Sequence, residues 1–448
     1  MTVATASPSI TTDEALSLIE ETIKQSHAEE VAVCLSNSED TLTRYSENQI
    51  TQNVSGNQFK LAITSYFGRR SATVTTTEFD PEAIADTLRR SEDLARIAPE
   101  DPEWVPLVEP QTYPDRPAAF DEATATFSPL ARGEKVRAVC EQGARAGVEM
   151  SGTLSTEVEL VAVGNSRGVR VCDRHTAAEF SVTARIDTGS GWTGRRAWNM
   201  DGLPLEPLTE TVIRRALDSR NPREIEPGVY PVIFDGAAFS SLLMWVVWNL
   251  DARAADEGRS FMSRTDSQGQ PAGNLLGEPL LSPLVNVRRN PAHPLIRGYR
   301  FSMDGLSKDD LTFVENGVPQ NLIYSHYWAS QHNQTPTGSP WPVVMAGTDQ
   351  SVADLVAQTE RGILVNRAWY VRYINPKTLE VTGMTRDGTF WIENGKIAYP
   401  IKNMRFNQSL PHLLRDVDAL SSAARYDVGV VPGVRVKAFN FSSITDSV

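Results

Sequence analysis

Few residues in this sequence have the types and spacing that bond-breaking chemistry requires. Gly164-Asn165-Ser166-Arg167-Gly168 has the spacing of a nucleophile elbow, where a strained strand-to-helix turn exposes a serine hydroxyl. The residues that follow, Val169-Arg170-Val171-Cys172, alternate like a strand. A hairpin turn rich in Asn and Gly is therefore expected, and Ser166 is not the expected nucleophile. The six histidines are His27, His175, His293, His326, His332 and His412. A helix-borne zinc site needs two histidines at helical spacing and a carboxylate beside them. Only His326 and His332 are close, across a polar stretch that reads as a loop, and no Glu adjoins either. Surface or hydrogen-bonded roles are expected for them instead. Asp304, Asp309 and Asp310 surround Lys308, a pattern that reads as a solvated loop. No phosphate-binding loop and no dinucleotide fingerprint occurs. An enzyme of a type without a sequence signature would have to draw on Asp304, Glu315 or His326.

The elements that would position such residues are legible from their caps and periodicity. Thr11 to Glu14 is a capping box, with Leu16, Ile19 and Ile23 at helical spacing behind it. Short strands are expected at 31–35, 41–45, 50–54 and 59–66. Asp80-Pro81 opens a helix with Ile84, Leu88 and Ala95 on its buried face, and Ser128-Pro129 opens another with Val136, Val139 and Cys140 inside. Gly147 is the expected C-cap of that second helix. Strands at 154–163, 169–172 and 178–186 follow, then a helix over 208–217. Six prolines between Pro99 and Pro117 mark a linker. After a strand at 229–234, residues 237–250 form the most apolar run. On a helix, Leu242, Leu243, Val246, Val247 and Leu250 share one face, while Met244, Trp245 and Trp248 fill the other. A helix apolar all round should be buried on both sides, so both tryptophans are expected inside. It holds no ionisable group before Asp251 and by its own chemistry catalyses nothing. Farther on, Asn316-Gly317 and Asn394-Gly395 each sit between apolar alternations and predict hairpins. A helix is expected over Ser351–Arg361, stopped by Gly362.

The fold class expected is α+β: N-terminal units of helices and antiparallel strands, then a mostly antiparallel β C-terminal domain with a buried core helix. The boundaries read as an N-terminal domain over 1–98, a Pro-rich linker over 99–120, a middle α+β domain over 121–224 and a C-terminal β-rich domain over 225–448. The 448 residues carry 43 Lys and Arg against 56 Asp and Glu, a formal charge of −13. Basic residues cluster only as pairs, which argues against nucleic acid as a partner. Three scattered cysteines make neither a disulfide framework nor a zinc knuckle. Met1 to Ile10 lacks the basic start and apolar core of a signal peptide, and no run is long enough to span a bilayer. The expected compartment is the cytoplasm, with no membrane partner.

Taken together, several segments resemble the TldD/PmbA family, also called modulators of DNA gyrase. They are Arg44-Tyr45-Ser46-Glu47-Asn48-Gln49-Ile50, Phe67 to Arg70, Gly258-Arg259-Ser260-Phe261, Asn375-Pro376, Gly383, and Ile392 through Lys402. The resemblance runs over nearly the whole chain and points to the PmbA/TldE-like branch, which lacks the zinc motif. TldD-type members resemble zinc peptidases with HExxxH on the helix that follows the third-domain strand and a cysteine ligand near the C-terminus. Aligned through Leu242-Leu243, this chain places Met244, Trp245 and Asn249 at the three motif positions, and it has no cysteine after Cys172. A thioether, an indole N–H and an amide make a poor zinc set without a general base. The resemblance thus implies a degenerate metallopeptidase-like C-terminal domain with no catalytic residue, no metal and no cofactor of its own. It implies a TldD-type metalloprotease subunit as heterodimer partner, with zinc in that partner, and an extended or unfolded peptide as substrate, held by strand addition to a sheet edge. A homodimer is one state left open for the chain when alone, and the sequence does not decide it. A non-enzymatic, gyrase-modulator-like binding protein is the alternative.

Overall fold

The computed structural model describes residues 10–445, so the sequence from Met1 up to Ser9 lies outside it. Two long hairpins dominate the first half. Strand β1 (Glu30–Ser46) turns at Glu47 and Asn48 into β2 (Gln49–Phe67), which turns again into β3 (Arg70–Thr76). Strands β4 (Glu149–Asn165), β5 (Arg170–Ile186) and β6 (Gly189–Ala197) form the second set. β1 pairs with β4, so the six strands make one antiparallel sheet in the order β3-β2-β1-β4-β5-β6. The short strands expected at 31–35 and 41–45 are one strand, as are those at 50–54 and 59–66 and those at 169–172 and 178–186. Polar residues interrupt the apolar alternation where the strand leaves the core, while the backbone ladder continues across them.

Helices cover one face of this sheet. The first is α1 (Thr12–Gln25), whose Thr11–Glu14 capping box is formed in both directions. The second is α2 (Pro81–Ile97), capped by Asp80. A short α3 (Glu122–Ala125) precedes α4 (Pro129–Ala146), which starts on Ser128 and ends on Gly147 in the left-handed region, as the sequence predicts. The last is α5 (Leu205–Asp218). Between α2 and α3 the Pro-rich segment has no regular structure and lies against the opposite side. Tyr113 Oη donates to the Gly305 carbonyl at 2.6 Å, and Arg116 donates to the Lys308 carbonyl at 2.7 Å.

The rest is a large, mostly antiparallel sheet built around the strand Gly429–Ile444. That strand pairs with β7 (Gly228–Phe234) and with Met404–Ser409 and Val417–Tyr426, all antiparallel; its pairing with Val343–Met345 is parallel. Both Asn-Gly turns form, with Asn316 and Gly317 at φ 50° and 78° and Asn394 and Gly395 at 51° and 73°. The helix expected over 351–361 is only Val352–Ala357, capped by Ser351 and Asp354. Arg361 and Gly362 open a strand that pairs in parallel with β7 at Ile363, so tertiary pairing overrides the glycine stop signal. Helix α6 (Gly236–Trp248) crosses this sheet in the largest core cluster, among Phe234, Phe439, Val431 and Leu413. Among the described residues no helix is long and apolar enough to cross a membrane.

Candidate functional site

The helix that would carry a peptidase motif is built firmly at its start. Asp235 caps α6 by accepting from the Ala237 N–H at 3.1 Å, and its other oxygen pairs with Arg215 of α5. Burial alone would raise this carboxyl. Arg215 first and Arg195 next outweigh that, and hold it below the ordinary carboxylate range. Leu242, Leu243, Val246 and Val247 are buried against the sheet.

The opposite face is open, contrary to the two-sided burial expected. Met244 and Trp245 are half-buried and Trp248 is 62% exposed. Mean apolarity reports what a face could bury, whereas burial needs a neighbour, and among the described residues that side is covered only in part, by one strand against Trp245. The adjoining strand, Ala368–Asn375, continues the surface. Trp369, Tyr370, Tyr373 and Ile374 on it are all at least 40% exposed. Trp245 meets Tyr373 edge-to-face at 4.5 Å and lies 6.3 Å from Trp248. Asn249, the C-cap residue, donates through Nδ2 to the Trp245 carbonyl and to Tyr373 Oη, both at 2.7 Å. The strand's only ladder partner is Glu380–Thr385, so its second edge pairs with no strand among the described residues. Its pairing skips between Trp369 and Arg372, with Tyr370 at φ 53°, a bulge that aims this tyrosine outward.

These residues do not fit zinc. Asn249's amide nitrogen has no lone pair to give and is already spent on two acceptors, Trp245 offers only a donor, and Met244 is a soft thioether. Among the described residues no three of His, Cys, Asp and Glu are grouped as a metal would need.

The other candidates lie elsewhere and apart. Ser166 sits in the β4–β5 turn, its hydroxyl accepting from the Val31 N–H at 3.1 Å, a structural tie rather than an exposed nucleophile. His326 and His332 bound one short helix, not a loop: Ser325 caps it, and its length is set by Asn333 in the left-handed region. His326 Nε2 meets Asp304 Oδ2 at 2.6 Å, while the His332 ring lies tilted against Trp328, 4.5 Å between centroids. Glu315 is exposed at the Asn316 turn. Lys308 is not in a solvated loop. It is 6% exposed and pushed down to about 8 by burial, with Arg289 and Arg116 adding to the effect. The exposed aromatics of Ala368–Asn375 escape a reading by periodicity. The available signal is the unbroken run Trp369-Tyr370-Val371, which places bulky groups on both faces of one strand.

Comparison with known proteins agrees with this architecture. The PmbA/TldA metallopeptidase domain 1 model matches residues 31–95, the central-domain model 114–220 and the C-terminal-domain model 227–443. Metalloprotease PmbA of Escherichia coli O157:H7 is 24% identical over 419 residues, covering 88% of this chain and 87% of that protein. The crystal structure of TldE from Thermococcus kodakarensis superposes with a TM-score of 0.85 at 18% identity, over 96% of this chain and all of that one. A Bacteroides thetaiotaomicron protein named for modulation of DNA gyrase gives 0.83 at 19%, over 96% and 98%. With the three domain models matched in order along it, the chain belongs to the PmbA/TldD metallopeptidase family.

Proposed function

We propose that this chain is the non-catalytic subunit of a cytoplasmic zinc metalloprotease, a heterodimer in which a TldD-type partner brings the zinc and the general base. In that complex it holds extended or unfolded peptides for proteolysis or leader-peptide removal; alone it pairs with itself. The observation that carries this reading is one helix face. At the place of a peptidase motif, α6 has no usable ligand, yet it presents Trp245 and Trp248 beside the unpaired edge of Ala368–Asn375. An open edge offers backbone hydrogen bonds to any extended chain, and exposed aromatic rings grip side chains of many kinds at low entropic cost. Such a surface suits a holder of varied peptides better than a reader of one sequence.

Co-purification with a TldD-type subunit, followed by a peptide-cleavage assay of each chain alone and of both together, tests this. Cleavage is expected only when the partner is present, and faster with both. Zinc-dependent cleavage by this chain alone, or partner activity indifferent to it, refutes the assignment. The charge of −13 favours one second reading, a binding protein that competes for a basic surface in the manner of a gyrase modulator. Stable capture of purified gyrase with no effect on peptide cleavage would select it.

A further inference from the structure

A separate pocket lies on the face of the six-stranded sheet away from its helices. Its floor is made by small side chains on adjacent strands: Ala32 and Cys34 of β1, with Ala62 of β2 directly opposite Cys34. Val105–Val108 of the Pro-rich segment form the roof, and Met303, Asp304 and His326 close one end. Small residues on a sheet face that is otherwise roofed leave a hollow of about 280 Å³, close to the lower bound of small-molecule pockets.

The polar groups around this hollow divide into spent and unspent. Asn165 is spent: Nδ2 donates to the Val108 carbonyl at 2.8 Å, and Oδ1 accepts from the N–H groups of Arg167 and Val169. Thr64 bonds Thr73 at 2.8 Å. The Tyr66 hydroxyl and the Cys34 thiol make no hydrogen bond among the described residues. No Lys or Arg lines the pocket, and Asp304 is its one carboxylate. Burial pulls the Asp304 carboxyl up, but its bonds to His326 and to the Leu306 N–H at 3.0 Å leave it below the ordinary range, and therefore ionised at neutral pH. An apolar hollow whose one anionic group is a half-exposed carboxylate at one end, paired on one oxygen with His326, selects a cation on an apolar body.

We propose that this pocket binds a compact apolar primary amine, with the ammonium at Asp304 and the apolar body over the floor of Ala32 and Ala62. The amine could belong to a free small molecule or to the unblocked N-terminus of a peptide beginning with an apolar residue. Titration calorimetry on the full chain distinguishes these, with phenethylamine, 2-phenylethanol and phenylacetate as probes and Phe-Gly-Gly beside its N-acetylated form. Phenethylamine is expected to bind one-to-one, about tenfold more tightly than the alcohol, with phenylacetate weaker still. Asp304→Asn should bring the amine to the alcohol's level, and Ala62→Leu should weaken both by filling the floor. In the unaltered chain, phenethylamine should slow alkylation of Cys34 by N-ethylmaleimide and phenylacetate should not, a readout independent of any variant's folding. Binding by the free tripeptide alone, or by phenethylamine alone, supports the pocket and assigns its source. Equal affinity for the three small probes, indifference to Asp304→Asn, or no saturable binding by any amine overturns the proposal.

Discussion

Replacing Lys308 by methionine should stabilise this protein at neutral pH, and the gain should vanish in base. The residue is 6% exposed, and among the described residues its ammonium has no ion-pair partner, while Arg289 and Arg116 add their repulsion. Arg116 itself leaves Nη1 buried without a hydrogen bond. The fall from 10.5 to about 8 corresponds to about 3 kcal/mol of disfavour for the charged form in the folded chain. Below about 8 both folded and unfolded chains carry the proton, so the full penalty applies. Between about 8 and 10.5 the unfolded chain keeps the proton and the folded chain does not, so stability rises with pH. Methionine matches the length of the stem and removes the charge. Lys308→Met should therefore gain about 2–3 kcal/mol at pH 7, and that difference should shrink steadily to near zero by about pH 10.5. Urea unfolding of both proteins at several pH values between neutrality and pH 10.5 reads this directly. A variant that is less stable at pH 7, or a difference constant across the series, would refute the claim that the buried charge is the source of the cost.

Four further outcomes are expected. Purified protein washed with a mild chelator should contain no stoichiometric zinc by elemental analysis, because Met244, Trp245 and Asn249 cannot ligate it. Asp235→Ala should cost about 3–5 kcal/mol, since it uncaps α6 and strands Arg215 and Arg195 in the interior; in the parent chain the stability this carboxylate supplies should hold above about pH 4 and fall away as the pH drops through its lowered folded value, which a pH series of thermal unfolding reads. Trp248→Ala should leave stability within about 0.5 kcal/mol and weaken binding of an unfolded peptide, whereas equal peptide binding would remove Trp248 from the proposed surface. Changing Met244, Trp245 and Asn249 to His, Glu and His should yield no proteolysis alone or with a partner. Histidines five residues apart lie about 140° apart around a regular helix, and Asn249 would lose its bonds to Trp245 and Tyr373.

What the sequence made legible was local. Thr11 with Glu14, Asp80 with Pro81, Ser128 with Pro129 and the two Asn-Gly turns formed as expected, because each is settled by the hydrogen bonds and φ values of a few consecutive residues. What it concealed was set by distant chain. Lys308 reads as solvated until Arg116, 192 positions earlier, is laid against it. The Arg361–Val365 strand reads as the end of a helix until β7 pairs with it. The open side of α6 was hidden for the same reason: a hydrophobic pattern records that a face is apolar, and only the fold decides whether anything covers it. The candidate site was thus half legible. The resemblance pointed to α6 through Met244, Trp245 and Asn249, but the aromatic surface on Ala368–Asn375 beside it could not be read.

The exposure of that surface argues against a chain that merely lost a peptidase site. A zinc site needs its helix to face an open space, since the metal must keep a position for water and substrate. Remove the ligands and the opening remains, but nothing about solubility calls for filling it with Trp245, Trp248, Tyr370 and Tyr373; small polar residues would serve a vacant surface better. Large aromatic groups clustered in the open, with Asn249 fixing Tyr373 and a bulge turning Tyr370 outward, have the composition of a contact surface. Their neighbour is a strand edge that, among the described residues, pairs with no second strand, the one feature of a sheet that recognises a polypeptide independently of its sequence. On the proposed reading, the same opening that would serve cleavage in a zinc-bearing subunit serves holding in this one, with the two roles divided between chains of a single fold.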